Sequence, residues 1–179
     1  SMKQYSILFH MESPQSILAS NDRLRTIAME RTIGVGHSPD PDDAFMFYGL
    51  SSGKVKLDGI SITHILEDIQ SLNVRALKEE LEVTAISAHA YAYVQDKYWI
   101  MASGASMGEG YGPVLVSKKY KTLKELRGKT AATPGKLTTA TLMFRIFTEG
   151  MDNIDVPFDE IMNSIDDGTY DAGLLIHEG

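Results

Sequence analysis

From Thr32 onward, short apolar runs alternate with segments whose apolar residues recur three and four positions apart. Thr32–Gly36, Ile60–Leu66, Val83–Ser87 and Asp171–Ile176 read as strands, being short, rich in β-branched residues and bounded by turn formers. Tyr98–Ala102 and Pro113–Ser117 read the same way, joined by the glycine-rich loop GASMGEGYG, and Gly128–Thr133 is a further strand. Helices are expected from Pro41 to about Ser52, from Ile69 to Glu80, over Ala88–Val94, from Thr138 to Gly150, and along the face made by Phe158, Ile161, Met162 and Ile165. Thr122 and Glu125 form a capping-box pattern ahead of another short helix. Strand and helix in repeated alternation predict an α/β protein with mostly parallel sheets. Residues 1–31 show only weak periodicity and read as an N-terminal extension, poorly ordered or docked as a short helix around Ser16–Ala28. The remainder divides into a first lobe over 32–117 and a partial second lobe over 118–179.

Composition narrows the chemistry. The 179 residues are 43% apolar and 23% charged, which is a globular composition. With no cysteine, disulfide scaffolds, thiolate metal sites and cysteine nucleophiles drop out together. The net charge of -7 arises from 24 acidic against 17 basic residues, and the basic residues are scattered, so no stripe exists to neutralise nucleic-acid phosphates. No run is long enough to span a bilayer and the N-terminus lacks the order of a signal peptide, which leads to the expectation of a soluble cytoplasmic protein without a membrane partner.

Open parallel sheets bind ligands at the carboxyl ends of their strands, which directs attention to four segments. In HSPDPDD, Ser38 and Asp40 precede a helix whose Pro41 suits the first helical position, and the first-turn N–H groups there favour an anionic group; plain capping by solvated acids is the equal alternative. A divalent cation held by Asp40, Asp42 and Asp43 is disfavoured, because successive first-turn carboxylates diverge, so no metal is expected. In TPGKLTTA, Thr138 and Thr139 bring hydroxyls and free N–H groups to a helix start, suited to a carboxylate, a hydroxyl or a phosphate, or to local capping alone. Ser87 and His89 follow one strand, and His177 and Glu178 follow another; imidazoles there can exchange protons near neutrality or simply be structural. Gly110 and Tyr111 lie in the glycine-rich loop, as a lid over a ring or as a connection. Neither a G-x-S-x-G elbow nor an H-E-x-x-H helix is present.

In order, GHSPDPDDAFMFYGL, HILEDIQSLN, ISAHAYAYV, the loop GxxxGxGYGPVLV, PGKLTTA and AGLLIHE make the stretch from Thr32 to Glu178 similar to the 1,4-dihydroxy-6-naphthoate synthases of the futalosine route to menaquinone. The chorismate-dehydrating family of the same route shares the fold, but the TTA and IHE segments look more like the naphthoate synthases. The resemblance implies a type 2 periplasmic-binding-protein-like fold of two lobes and a cleft drawing on Ser38, Asp40, Ser87, His89, Gly110, Tyr111, Thr138, Thr139 and His177. It also implies a lyase that turns cyclic dehypoxanthine futalosine into 1,4-dihydroxy-6-naphthoate, with His177 as base or nucleophile and no cofactor. The partner would be a small aromatic carboxylate substrate. Members of that family continue beyond the IHE segment, so an incomplete second lobe is expected here, covered by a homo-oligomer if the chain stands alone. A non-catalytic carboxylate-binding module and an inactive fragment of the same fold are the competing readings.

Overall fold

The computed structural model describes residues 4–10 and 31–176. Two compact units emerge: one holds residues 6–10, 31–86 and 93–104, the other residues 4–5, 87–92 and 105–176. The helix expected around residues 16–28 lies outside the described residues. Among the described residues no helix is long and apolar enough to cross a membrane.

Gln4–His10 form β1, Arg31–His37 β2, Ile60–Leu66 β3, Val83–Ser87 β4 and Tyr98–Met107 β5, in one sheet of order β3-β2-β4-β1-β5. Part of the segment read as an extension is thus an interior strand of the sheet. Strand β2 runs parallel to both β3 and β4, as the alternation with helices requires. Pro41–Ser51 form α1, with Pro41 at the first helical position and Asp42 and Asp43 in the first turn, where acids complement the helix dipole. Asp40 sits at the N-cap without a side-chain capping bond. Ile69–Leu77 form α2, capped by Asp68, whose carboxylate accepts from the Ser71 N–H at 3.0 Å. The helix ends three residues before the expected Glu80, because Glu79 takes a left-handed φ of 58°. Phe47 packs with Val35, and Leu72 with Leu81 and Ala85, so both helices bury apolar faces on the sheet. Gly36 lets α2 come close: a Cβ there would lie 2.8 Å from both Leu72 and Leu81.

Ala88–Tyr91 make the short helix α3 directly after β4. The second sheet has order β6-β9-β7-β8, from Val114–Val116 (β6), Thr130–Thr133 (β7), Asp152–Asp155 (β8) and Ala172–Leu175 (β9). Only β6 is antiparallel to its neighbour. Helix α4 (Thr139–Phe147) and helix α5 (Ile161–Asp166) supply the cover, α5 being preceded by a single 3-10 turn at Phe158–Glu160. Adjacent residues of β7 serve opposite faces: Ala131 packs with Phe144 and Leu126, Ala132 with Ile161 and Ile165. Burial on both faces is why β7 and β9 read as continuous small or apolar runs instead of alternating ones.

The elements depart from the expected pattern at three further places. The strand expected to stop at Ala102 continues to Met107, through Gly104, since its small uncharged residues offer nothing to break pairing before Pro113. Thr122 and Glu125 make their reciprocal capping bonds, at 3.4 and 3.2 Å, yet close only a run of turns before Gly128. Strand β8, DNID, carries no apolar signature because it is paired on one side only, with β7.

Candidate functional site

Two polar sets contain the expected residues, one in each unit. In the second unit, β4 ends at Ser87, which is almost fully buried and begins α3. The His89 N–H donates to Thr139 Oγ1 at 3.3 Å, and His89 Nδ1 stands 3.3 Å from the Thr138 carbonyl oxygen. A carbonyl can only accept, so Nδ1 carries a hydrogen in this contact. These bonds join two segments some fifty residues apart in the chain.

Thr138 is the N-cap of α4: its hydroxyl accepts from the Thr141 N–H at 3.2 Å and donates to the Gly135 carbonyl at 2.7 Å. With its side chain 1% exposed, Thr138 holds the turn. Thr139 is half-buried, and because its oxygen accepts from His89 its own O–H remains to donate. The first-turn N–H groups of α4 point the same way as any helix start, without partners inside the helix. The residue after Thr139, Ala140, lines a cavity of about 460 Å³ together with Gly110, Tyr111, Met143, Phe144 and Phe147. Gly110 adopts φ 77°, which suits glycine, and the Tyr111 ring passes within 3.1 Å of where a Cβ on Gly108 would be. The loop and the helix therefore line one aromatic-walled space, whose walls include Ala140 but not Ser87, His89, Thr138 or Thr139. Strand β9 runs parallel to β7, so both deliver their carboxyl ends to one edge of the sheet. His177 lies outside the described residues.

In the first unit, the Ser38 N–H donates to Asp43 Oδ2 at 2.7 Å, and the Asp40 N–H to Ser38 Oγ at 3.1 Å. Asp43 is 2% exposed and its Oδ1 is buried without a hydrogen-bond partner. Burial pushes its carboxyl up to about 6, against the pull of the Ser38 N–H. Sequence reading treated Asp43 as a first-turn acid and passed over His37 and His64, whose ring nitrogens approach to 2.9 Å. The available cue was a histidine just before Ser38, at the end of one expected strand, and another in HILED, within the strand expected at Ile60–Leu66.

The raised Asp43 carboxyl has a consequence for stability. In the unfolded chain it titrates near 3.8, so the fold prefers the protonated form; this contribution is fully present below 3.8 and is lost as pH rises through about 6. That interval corresponds to about 3 kcal/mol. Asp43→Asn keeps the acceptor for Ser38 without the charge. Its unfolding free energy, minus that of the parent, is expected to rise by about 3 kcal/mol between roughly pH 3 and pH 7 in urea titrations. A difference that stays flat with pH would contradict a buried, strained carboxylate.

A family model described as menaquinone biosynthesis matches residues 33–179. A relative from Thermus thermophilus, named 1,4-dihydroxy-6-naphtoate synthase, is 38% identical over 144 residues, covering 80% of this chain and 52% of the relative. One of the same name from Streptomyces coelicolor is 36% identical over 154 residues, covering 82% and 53%. The chain thus spans about half the length of the curated relatives it matches. A crystal structure of an Archaeoglobus fulgidus protein shares 51% identity at a TM-score of 0.77, over 83% of this chain and 55% of that one. The alkanesulfonate-binding protein of Xanthomonas axonopodis aligns at a TM-score of 0.59 with 12% identity, over 82% and 54%. At that identity it shows the fold alone, which is that of the periplasmic binding proteins. With the family model covering residues 33–179 and identity to the two synthases above one third, the chain belongs to the menaquinone biosynthesis family.

Proposed function

We propose that the protein acts as a carbon-carbon lyase of menaquinone biosynthesis, converting cyclic dehypoxanthine futalosine to 1,4-dihydroxy-6-naphthoate and a sugar-derived fragment. What carries this reading is the pair of hydrogen bonds that fix His89 against Thr138 and Thr139 at the start of α4, the helix whose Ala140, Met143, Phe144 and Phe147 line the aromatic-walled cavity. Within it, the Thr139 hydroxyl and the first-turn N–H groups of α4 receive the substrate carboxylate or the oxygen on which charge develops, since donors already aimed at that point need no reorganisation during reaction. Thr138 holds that turn through its cap, and Ser87, His89, Gly110 and Tyr111 are assigned to substrate binding, with the Tyr111 ring against the aromatic system. His177 takes the proton from carbon or from a sugar hydroxyl, a task for an imidazole that is neutral near pH 7. Ser38 and Asp40 are assigned to substrate binding. The enzyme is taken to work in the cytoplasm on a small aromatic carboxylate.

Thr139→Val removes the donor while keeping the shape of the side chain. It is expected to lower kcat/KM about tenfold, the loss of one hydrogen bond to a charged group. Steady-state rates with the cyclic substrate decide this: equal values for variant and parent would remove Thr139 from the site.

A further inference from the structure

His37 closes β2, and His64 stands in β3 opposite Val35, so the two histidines project from one face of the sheet. His37 is buried, and its ring stacks on Phe47 with centroids 4.2 Å apart and planes at 18°. His37 Nδ1 lies 3.1 Å from the Ser38 carbonyl oxygen, and His37 Nε2 lies 2.9 Å from His64 Nδ1. One carbonyl fixes every proton in this row. It can only accept, so Nδ1 of His37 carries the hydrogen and Nε2 of His37 is the lone pair facing His64. The hydrogen in the 2.9 Å contact must then belong to His64 Nδ1, which leaves His64 Nε2 as a lone pair. Among the described residues His64 Nε2 has no hydrogen-bond partner.

We propose that His37 and His64 act as one proton-accepting relay, entered at His64 Nε2, and that His64 is a positioning residue for the turn bearing Ser38 and Asp40. The positioning role rests on the assignment of that turn to substrate binding; the relay does not. A proton added at His64 Nε2 leaves the bond between the rings intact. Passing the Nδ1 hydrogen of His64 to His37 Nε2 then moves the positive charge onto a ring that faces Phe47 and the Ser38 carbonyl, both favourable to a cation. A second proton would have to occupy the lone pair that makes the inter-ring bond, so the pair holds one. Burial holds both imidazoles below the ordinary 6.5, in His37 against the Ser38 carbonyl and in His64 with added repulsion from His37. The charged groups on the elements packed around the pair are Asp40, Asp42 and Asp43 at the start of α1 and Glu67 after β3; Asp43 is tied to the Ser38 N–H instead of to either ring. The mechanical link runs from His64 to His37, from His37 to the Ser38 carbonyl, and from the Ser38 N–H and hydroxyl to Asp43 and Asp40.

Long-range nitrogen-proton NMR spectra of the uniformly labelled protein, with no ligand, test the relay directly. Both rings are expected to carry hydrogen on Nδ1 and a pyridine-type Nε2 near neutral pH, with the first protonation on acidification at His64 Nε2. Hydrogen on Nε2 of His37 near neutral pH, before any proton is taken up, overturns the relay. For positioning, His64→Leu is expected to speed exchange of the Ser38 amide about tenfold, while His64→Asn, which keeps a donor near the place of Nδ1, stays close to the parent. Under turnover His64→Leu should raise KM and leave kcat nearly unchanged. Unchanged Ser38 exchange in both variants overturns the positioning role. A parent protein that turns over no cyclic substrate would overturn the lyase reading, and the spectra of the free protein would still decide the relay.

Discussion

Replacing His177 by alanine is expected to lower formation of 1,4-dihydroxy-6-naphthoate by at least about 100-fold, the usual contribution of a positioned general base. In the sequence His177 comes two residues after Leu175, the last residue of the buried strand β9. β9 is registered on β7 through Ala131–Ala172 and Ala132–Gly173, and β7 feeds the turn that ends in Thr138 and Thr139. The proposed function gives the histidine of the IHE segment the role of base, one of the two roles, base or nucleophile, that the resemblance to the naphthoate synthases implies. A general base must be unprotonated to accept the proton, so the parent rate should fall as the pH is lowered, and the alanine variant should lose that limb. KM should change far less than kcat, since a base acts in the transition state and contributes little to ground-state binding. A rate within about twofold of the parent would show that the proton goes elsewhere.

Gly173→Ala is the largest stability effect expected from a single methyl group. A Cβ at position 173 would overlap Ile165 Cδ1 and lie 2.6 Å from Ile161 Cγ2. Both isoleucines are buried in the cluster beneath α5, so neither can swing into solvent. Interiors are close-packed, and overfilling costs typically 1–3 kcal/mol; here two buried side chains are struck at once, and about 3 kcal/mol is expected. Relief is specific: in a background of Ile165→Ala the same substitution should cost at least about 1 kcal/mol less, a coupling that urea unfolding of the four proteins measures. Additive losses would mean that α5 does not press on β9 at this glycine. Activity should fall along with stability, because a shifted β9 displaces the segment that follows it.

Strand and helix order was legible where local pattern and burial agree. The stretch from β2 into α1 announces itself through β-branched residues, then a proline at the first helical position, then first-turn acids, and β3, β4 and β9 form within a residue or two of the expected bounds. β8 was not legible, since a strand paired on one side and largely exposed needs no apolar residues, and DNID has one. Nor was β1, for QYSILFH stands in a segment whose periodicity is weak. Gly104 looked like the start of a loop, whereas β5 carries it at φ 82° within the strand. The site divides in the same way. Residue types at strand ends pointed to Ser87, His89, Thr138 and Thr139, but the bonds from His89 to the two threonines are contacts across the fold that no local period reveals. The unpartnered oxygen of Asp43 and the proton order in the His37–His64 pair depend on burial and on a single carbonyl, properties that exist only once the sheet has formed.

The most direct measurement is to incubate the purified protein, as its gene encodes it, with cyclic dehypoxanthine futalosine and follow the products by mass. The account predicts 1,4-dihydroxy-6-naphthoate together with the sugar-derived fragment, at a rate that collapses in His177→Ala. Substrate recovered unchanged from the folded parent protein would contradict it.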